Sequence, residues 1–463
     1  MKLIKIILLV LLVVVAIVIY KQYPKLNIIA GYAAKNMSSN AFLTQRPIDS
    51  INTYDNAVPS IKLAKTSVDR NNKITSSSVF GLLERKVHFR EGQGAVVIDD
   101  DYDTNQKTLL PKRSQQFLTE AFPVGSQAKS NEDMKHVDYV ALNKAIEKGF
   151  LENEATFKKN TRALLVIHKD QIIAEKYAPG FSKDTRFLGW SMAKSLLATI
   201  IGVLEKQQGF DIYKPIVAYM DLEGWKQDER ASITMHHLLK MVSGLEWEED
   251  YTKISDVTRM LFLEKDMTQS QANKKSEFAA GTHFNYSSGT TNLISGILRA
   301  QFKTHQEYLD FPYTELIDKI GMHSMVFETD MTGNYVGSSY AWATARDWAK
   351  LGLLYLKKGA WNGEQLLNES WVDYTQTPTK VSADEYGAQF WTNTAGYLPD
   401  APRDMYYADG YHGQRIFIIP SRDIVIVRTG LTQRNQEESY PLMNELLKEV
   451  LEAVGTENTL ENS

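Results

Sequence analysis

The sequence predicts an α+β fold in which helices flank an antiparallel sheet and a helical subdomain is inserted between its strands. Strand patterns occur at two distant places, at residues 163–177 and again at residues 404–428. Helical patterns, interrupted by glycine and aspartate, fill most of the chain from 210 to 359. Strands from both ends of such a segment can share one sheet, with the helices packed against it.

The strand at 163–168 and the strand at 171–177 are predicted to form a hairpin, because two β-type runs enclose the short polar turn Lys169-Asp170. A closing helix is predicted over residues 440–453. Three further candidate strands lie near the end of the chain: residues 404–408, 413–419 and 423–428.

Composition excludes several classes of function. The 463 residues, 43% of them hydrophobic, are enough for one large or two ordinary domains with a sizeable core. A net charge of −4 without a pronounced basic run argues against nucleic acid as a partner. The absence of cysteine excludes disulfides, thiolate metal sites and a cysteine nucleophile. No H-E-x-x-H pattern occurs, and the adjacent His236 and His237 point to different faces of a helix, so no metal or other cofactor is predicted.

Residues 1–21 predict a signal anchor that crosses the membrane. The run from Ile6 to Tyr20 carries no charge, and Lys5 and Lys21 bound it. A secretory signal peptide has the same charged start and apolar middle, but no small-residue cleavage site follows closely. We therefore expect a membrane-anchored protein whose main domain lies on the extracytoplasmic, periplasmic side. Secretion after signal cleavage is the alternative.

The rest of the chain divides into three predicted parts. Residues 22–130 read as a β-rich extension with short apolar segments, including strands at 86–90 and 95–98 around a turn. Residues 131–456 form the main domain, and residues 457–463 form a tail. No catalytic signature occurs in the extension.

Ser191 and Lys194 begin a predicted buried helix that ends near Gly209. Their spacing places both side chains on one face of the helix. A serine hydroxyl becomes a nucleophile when a base takes its proton, and a buried lysine kept neutral can be that base. The helix start also offers unpaired amides to a developing oxyanion. The alternative is that Ser191 merely caps the helix.

Two later segments carry further candidates. Tyr286 and Ser288 lie in a glycine-bounded loop, where a tyrosine near a lysine ammonium could act as an acid–base group through a stabilised phenolate. His412 and Gly413 precede an apolar strand, and glycine there would let a substrate approach the strand backbone. The alternatives are a packed loop tyrosine and a hydrogen-bonded turn histidine.

The order of these motifs resembles the serine β-lactamase and penicillin-binding protein superfamily, in which S-x-x-K holds the nucleophile. The chain is most similar to the class C β-lactamase-related hydrolases, and among them to the 6-aminohexanoate-dimer hydrolase subgroup. Supporting segments are 233–245, 343–349 and 386–391. The resemblance covers about residues 138–447 and implies a β-lactamase/transpeptidase-like fold.

The resemblance implies a role for each candidate. Ser191 would form the acyl-enzyme, Lys194 would accept its proton, and Tyr286 would relay a proton to the leaving group. The amides of Ser191 and Gln414 would hold the oxyanion. His412 falls where lactamases place a lysine for the substrate carboxylate.

Two departures from the family pattern bear on the substrate. Ser288 stands where many relatives carry asparagine, and the lysine expected near position 412 is missing. Together they favour a linear amide or an ester, a small molecule, as substrate. A D-alanyl-D-alanine peptidase, a β-lactamase and a non-catalytic membrane-anchored ligand sensor remain alternatives, and the sequence leaves the oligomeric state open.

Overall fold

The computed structural model describes residues 2–114, 119–125, 134–152, 159–432 and 436–455, without the side chains of 2–3, 14–21 and 436–439. The predicted tail, 457–463, lies outside the described residues. The division into an extension and a main domain at residue 130 also falls outside them and stays a prediction.

The first helix is α1, Lys2–Gln22. Its apolar side chains from Ile4 to Val13 are exposed. Within the described part of the chain, no helix combines the length and the apolar character that crossing a membrane requires. The side chains of residues 1–3 and 14–21 are not described, so the predicted anchor at 1–21 stays a prediction.

The extension contains two further helices, α2 (Lys25–Leu43) and α3 (Ile48–Ser50). A four-stranded antiparallel sheet follows in sequential order: β1 (Ala64–Asp69), β2 (Ile74–Val79), β3 (Leu82–Arg90) and β4 (Gly94–Ile98). The last two strands lie where the sequence predicts them. The buried helix α2 was not predicted, because its buried residues are mainly Ala, Ser, Asn and Gly and show no apolar period.

The extension packs directly on the main domain. The buried Lys35 of α2 forms an ion pair with Glu328, with 2.6 Å between Nζ and Oε2. The guanidinium of Arg90 donates to the Thr329 carbonyl oxygen at 2.6 Å. This buried ion pair and this charge-assisted hydrogen bond join the two parts.

The main domain supplies the remaining regular elements. Its helices are α4 (Tyr139–Phe150), α5 (Met192–Gln208), α6 (Met235–Leu239), α7 (Asp256–Leu263), α8 (Met267–Ala272), α9 (Ser288–Arg299), α10 (His305–Pro312), α11 (Ala345–Leu356), α12 (Glu369–Gln376) and α13 (Gln436–Val454). Its strands are β5 (Thr161–His168), β6 (Gln171–Tyr177), β7 (Phe187–Leu188), β8 (Val326–Phe327), β9 (Ala341–Ala343), β10 (Ala360–Trp361), β11 (Glu364–Gln365), β12 (Trp391–Thr392), β13 (Tyr406–Gly410), β14 (Gln414–Ile419) and β15 (Ile424–Gly430).

The central sheet confirms the predicted α+β fold with an antiparallel sheet. Its order is β12-β13-β14-β15-β5-β6, and every neighbouring pair is antiparallel. The late strand β15 pairs with the early strand β5, as Val427 opposite Leu165 shows. The helices α5 to α12 lie between the two groups of strands in the chain. They are joined there by a small sheet in the order β7-β9-β8, which was not predicted.

Alternating residues of the central strands bury two faces. Leu165 and Val427 face a core that includes α5, α9 and α11, whereas Leu164 and Ile426 face a core with α4 and α13. Each such buried aliphatic side chain stabilises the fold by roughly 1.5–3 kcal/mol. The helix α5 is therefore held firmly against the sheet, with its first turn at the sheet edge.

Candidate active site

Ser191 lies at the start of α5 and is 9% exposed. The amides of Met192, Ala193 and Lys194 donate to the carbonyl oxygens of residues 189, 190 and 191 at 3.1, 2.9 and 3.0 Å. Because these three amides are engaged, the amide of Ser191 is the candidate oxyanion donor at this end of the helix.

Trp190, immediately before the nucleophile candidate, has a φ of 47°. A large side chain rarely adopts this left-handed conformation, and such strain persists where the surroundings enforce it. Four aromatic rings surround the indole at centroid distances of 5.5 to 6.3 Å: Tyr32, Tyr251, Tyr340 and Tyr411. This packing holds the turn that presents Ser191.

Lys194 reaches three oxygen atoms from its buried position. Its Nζ lies 3.0 Å from Ser191 Oγ, 2.9 Å from Ser288 Oγ and 3.0 Å from the Ser338 carbonyl oxygen. Burial lowers the pKa of Lys194 to about 8, although the negative charge of Glu249 opposes this shift. A neutral amine at the nucleophile is thus accessible near neutral pH.

Tyr286 completes the cluster. Its ring centroid lies 4.8 Å from Lys194 Nζ, and Ser191 is among the neighbours that influence the pKa of its hydroxyl. Burial raises the pKa of Tyr286 well above its ordinary value, and the charge of Glu249 adds to this rise. Burial therefore favours the protonated hydroxyl and opposes the predicted phenolate.

Ser288 begins α9 and links Lys194 to a residue that the sequence did not reveal. Its hydroxyl contacts Glu249 Oε1 at 2.5 Å, and its amide donates to Glu249 Oε2 at 2.9 Å. Trp247 Nε1 also donates to Oε2, at 2.5 Å. Glu249 follows α6 in an irregular loop, where neither a helical nor a strand period distinguishes it from its acidic neighbours.

His412 and Gly413 form the tight turn between β13 and β14. The Nδ1 atom of His412 lies 2.9 Å from the Thr432 carbonyl oxygen, and burial lowers its pKa to about 4. Gly413 has a φ of 83°, and a Cβ there would lie 2.4 Å from a guanidinium nitrogen of Arg428. The glycine thus serves the turn, and the neutral histidine packs against Trp190 and Tyr411.

Gln414 lies at the start of a strand, where the sequence predicts it. Gln414 begins β14, and its side-chain amide donates to the carbonyl oxygens of Tyr411 at 3.1 Å and Gly430 at 2.7 Å. The strand that approaches the start of α5 is β13, because a Cβ on Gly410 would lie 2.2 Å from the Gly189 carbonyl oxygen. The Gly410–Tyr411 end of β13 is therefore a second candidate for the oxyanion amide, and the role expected of the Gln414 amide stays a prediction.

No group of three or more histidine, cysteine or acidic side chains in the described residues could hold a metal ion. The two adjacent histidines are engaged in other contacts. The Nδ1 atom of His236 lies 3.0 Å from the hydroxyl of Tyr374, and His237 Nδ1 accepts the amide of Thr234 at 3.1 Å.

The chain is similar in sequence to proteins of one known family. The Beta-lactamase family model matches residues 154–452. The chain is 26% identical over 298 residues to a protein named 6-aminohexanoate-dimer hydrolase from Paenarthrobacter ureafaciens, covering 58% of this chain and 72% of that relative.

Solved structures show the same fold. A Bacillus anthracis protein described as a 6-aminohexanoate-dimer hydrolase matches with a TM-score of 0.54 and 21% identity, over 66% of this chain and 80% of that one. A family VIII carboxylesterase matches with a TM-score of 0.54 and 12% identity, over 70% and 99% of the two chains. At these identities the likeness establishes the fold alone.

Proposed function

The chain belongs to the Beta-lactamase family, and from this premise we propose that it is a serine hydrolase that forms an acyl-enzyme on a linear amide or a carboxylic ester. The observation that carries the proposal is the 3.0 Å contact between Ser191 Oγ and Lys194 Nζ, with the ring centroid of Tyr286 4.8 Å from the same nitrogen. A candidate nucleophile, a candidate base and a candidate proton donor thus lie together at one site.

The proposed reaction begins with the neutral amine of Lys194. It takes the proton of Ser191 as Oγ bonds to the substrate carbonyl carbon, and the amides of Ser191 and Tyr411 stabilise the oxyanion. The carbon–nitrogen or carbon–oxygen bond then breaks, and the Tyr286 hydroxyl gives its proton to the leaving group. The Lys194 ammonium returns a proton to the phenolate, and water cleaves the acyl-enzyme by the reverse sequence.

The substrate class follows from the charge at position 412. Family members that act on β-lactams or peptidoglycan bind the substrate carboxylate with a lysine in this region. Burial lowers the pKa of His412 to about 4, so the side chain is neutral and cannot replace that lysine. An ester, or a linear amide without a carboxylate close to the bond that is cleaved, does not require such a cation.

A fluorophosphonate probe tests the proposal. We expect covalent labelling of the wild type, loss of labelling in Ser191→Ala, and retention in Ser195→Ala, where the altered serine lies one turn further along α5. Hydrolysis of p-nitrophenyl esters and short amides but not of nitrocefin would support the proposed substrate class. Rapid nitrocefin turnover would favour the β-lactamase alternative, and an unlabelled Ser191 would favour a ligand sensor.

We also propose that α1 attaches the protein to a membrane, with the main domain on the extracytoplasmic side. The proposal is supported by the exposed apolar side chains of α1, which water would otherwise contact. Fractionation of cells that express the full chain, or a chain without residues 1–21, tests it. Recovery of the full chain in the soluble fraction would contradict membrane attachment.

A further inference from the structure

We propose that Glu249 is a positioning residue that acts through Ser288 to keep the lone pair of Lys194 directed at Ser191. This inference rests on the proposed function, because it concerns how the base is oriented. It assigns to a loop carboxylate a task that neither the S-x-x-K motif nor the Tyr286 loop performs.

The hydrogen bonds of Glu249 determine the direction in which the Ser288 hydroxyl donates. Glu249 receives three donors in addition to the Ser288 hydroxyl: the Ser288 amide at 2.9 Å, Trp247 Nε1 at 2.5 Å and the Tyr251 hydroxyl at 3.3 Å. A carboxylate surrounded by donors only accepts hydrogen bonds. The single hydrogen of the Ser288 hydroxyl is therefore committed to Glu249, at 2.5 Å.

The second step concerns the amine. Because the hydrogen of Ser288 is committed, its oxygen can only accept from Lys194, across 2.9 Å. The Ser338 carbonyl oxygen also only accepts, across 3.0 Å. A neutral amine has two N–H groups and one lone pair, and these two acceptors use both N–H groups. The lone pair is left for the third neighbour, the hydroxyl of Ser191 at 3.0 Å.

Without the Glu249 carboxylate, a second hydrogen-bond arrangement becomes possible at Lys194. The Ser288 hydroxyl could rotate and donate to Lys194, which would occupy the lone pair that Ser191 needs. The negative charge of Glu249 raises the pKa of Lys194, so this residue does not help to neutralise the amine. Its benefit to the base lies in orientation, which outweighs that electrostatic disadvantage.

Glu249 orients the amine of Lys194 but also raises its pKa, so Glu249→Gln should change kcat and its pH dependence in different ways. We expect kcat at high pH, where the amine is already neutral, to fall by about 10-fold or more, since one correctly oriented proton acceptor is lost. We expect the acid limb of the kcat profile to move to lower pH, because the charge that raised the pKa of Lys194 is gone. KM should change little. Glu248→Gln, the exposed neighbour in the same loop, is the matched control and should change neither quantity.

A double-mutant cycle gives an independent readout. If Glu249 acts through Ser288, Glu249→Gln combined with Ser288→Ala should lower kcat no further than Ser288→Ala alone. Thermal melts establish that each variant is folded before its rate is compared.

The outcomes separate this inference from the proposed function. If the wild type is active, two results overturn the positioning role alone. The first is additive losses of kcat in the double variant. The second is a Glu249→Gln variant whose kcat at high pH falls while the acid limb of its kcat profile does not move. Unchanged kcat and pH profile in Glu249→Gln do the same. An inert wild type with an unlabelled Ser191 overturns both.

Discussion

The pocket at Lys194 and the contact between the extension and the main domain at Lys35 each bury a lysine, but they use it differently. Lys35 Nζ meets a carboxylate oxygen of Glu328 at 2.6 Å and Ser39 Oγ at 2.8 Å. Lys194 meets two hydroxyls and a carbonyl oxygen, and the carboxylate of Glu249 contacts Ser288 rather than the amine. Burial lowers the pKa of both amines; the carboxylate of Glu328 opposes this shift at Lys35 through direct contact, whereas the charges of Glu249 and Asp409 oppose it at Lys194 without contact.

The difference teaches that burial alone does not make a lysine a base. A carboxylate in direct contact favours the ammonium form and leaves the amine no lone pair to offer, whereas neutral oxygen partners keep the amine form accessible. Lys35 therefore serves the attachment of the extension, and Lys194 can serve proton transfer. Four predictions test this division, beginning with the largest expected effect.

Replacing Lys194 with alanine should lower kcat on a p-nitrophenyl ester by about 10²–10⁴-fold, the usual contribution of an acid–base group. The thermal melt should show an intact fold. Lys240→Ala is the control, because Lys240 is also buried but donates to the carbonyl oxygens of Tyr374 and Thr377, away from the nucleophile. A Lys194→Ala variant with the wild-type rate would contradict the assignment of the base.

Replacing Lys35 with methionine should lower the free energy of unfolding by about 3–5 kcal/mol, since it leaves the buried carboxylate of Glu328 without its counter-ion. The rate per folded molecule should remain that of the wild type. Urea unfolding measures the first quantity, and ester hydrolysis in the folded baseline measures the second. The double variant with Glu328→Gln should recover part of the lost stability; no recovery would argue against the ion pair as the cause.

Replacing Tyr286 with phenylalanine should lower kcat on an amide substrate by about 10²-fold, because the leaving group loses its proton donor. Tyr386→Phe is the control, since the Tyr386 ring packs edge-on against Tyr286 and has no part in the proposed proton transfers. If Tyr286→Phe cleaves the amide at the normal rate, another group supplies the proton.

The pH dependence of kcat/KM should follow Lys194. The amine must be neutral to accept a proton, and burial lowers its pKa to about 8. Activity should therefore rise about tenfold per pH unit below 8 and level off above it. A profile that stays flat from about pH 6 to 9 would mean that another group is the base.

The sequence predicts site residues well where reactive side chains lie at helical spacing on a buried helix. It predicts them less well where their position depends on the register between strands. Ser191 and Lys194 follow from a polar pair at the start of a buried helix, and the structure brings Tyr286 and Ser288 to them. The oxyanion role expected of the Gln414 amide depends on strand register, which a short hairpin turn leaves open, and it stays a prediction.

Two features could not be read from the sequence, for physical reasons. Glu249 meets Ser288 only when the loop after α6 folds back to α9, and no local pattern records that contact. Helix α2 buries small and polar residues against the extension sheet, so it lacks the apolar stripe that marks most surface helices.

The ring of Tyr32 belongs to α2, yet it stacks on Trp190, the residue before Ser191, with 6.2 Å between ring centroids. The family match begins only at residue 154, so a protein trimmed to that match would lose part of its own active-site scaffold. The trimming would also expose Phe262 of α7, whose ring centroid lies 5.4 Å from that of Tyr32. A shortened protein that keeps this packing should therefore retain the chain from residue 24 onward. The extension moved to another protein would lose the surface of the main domain that covers Tyr32.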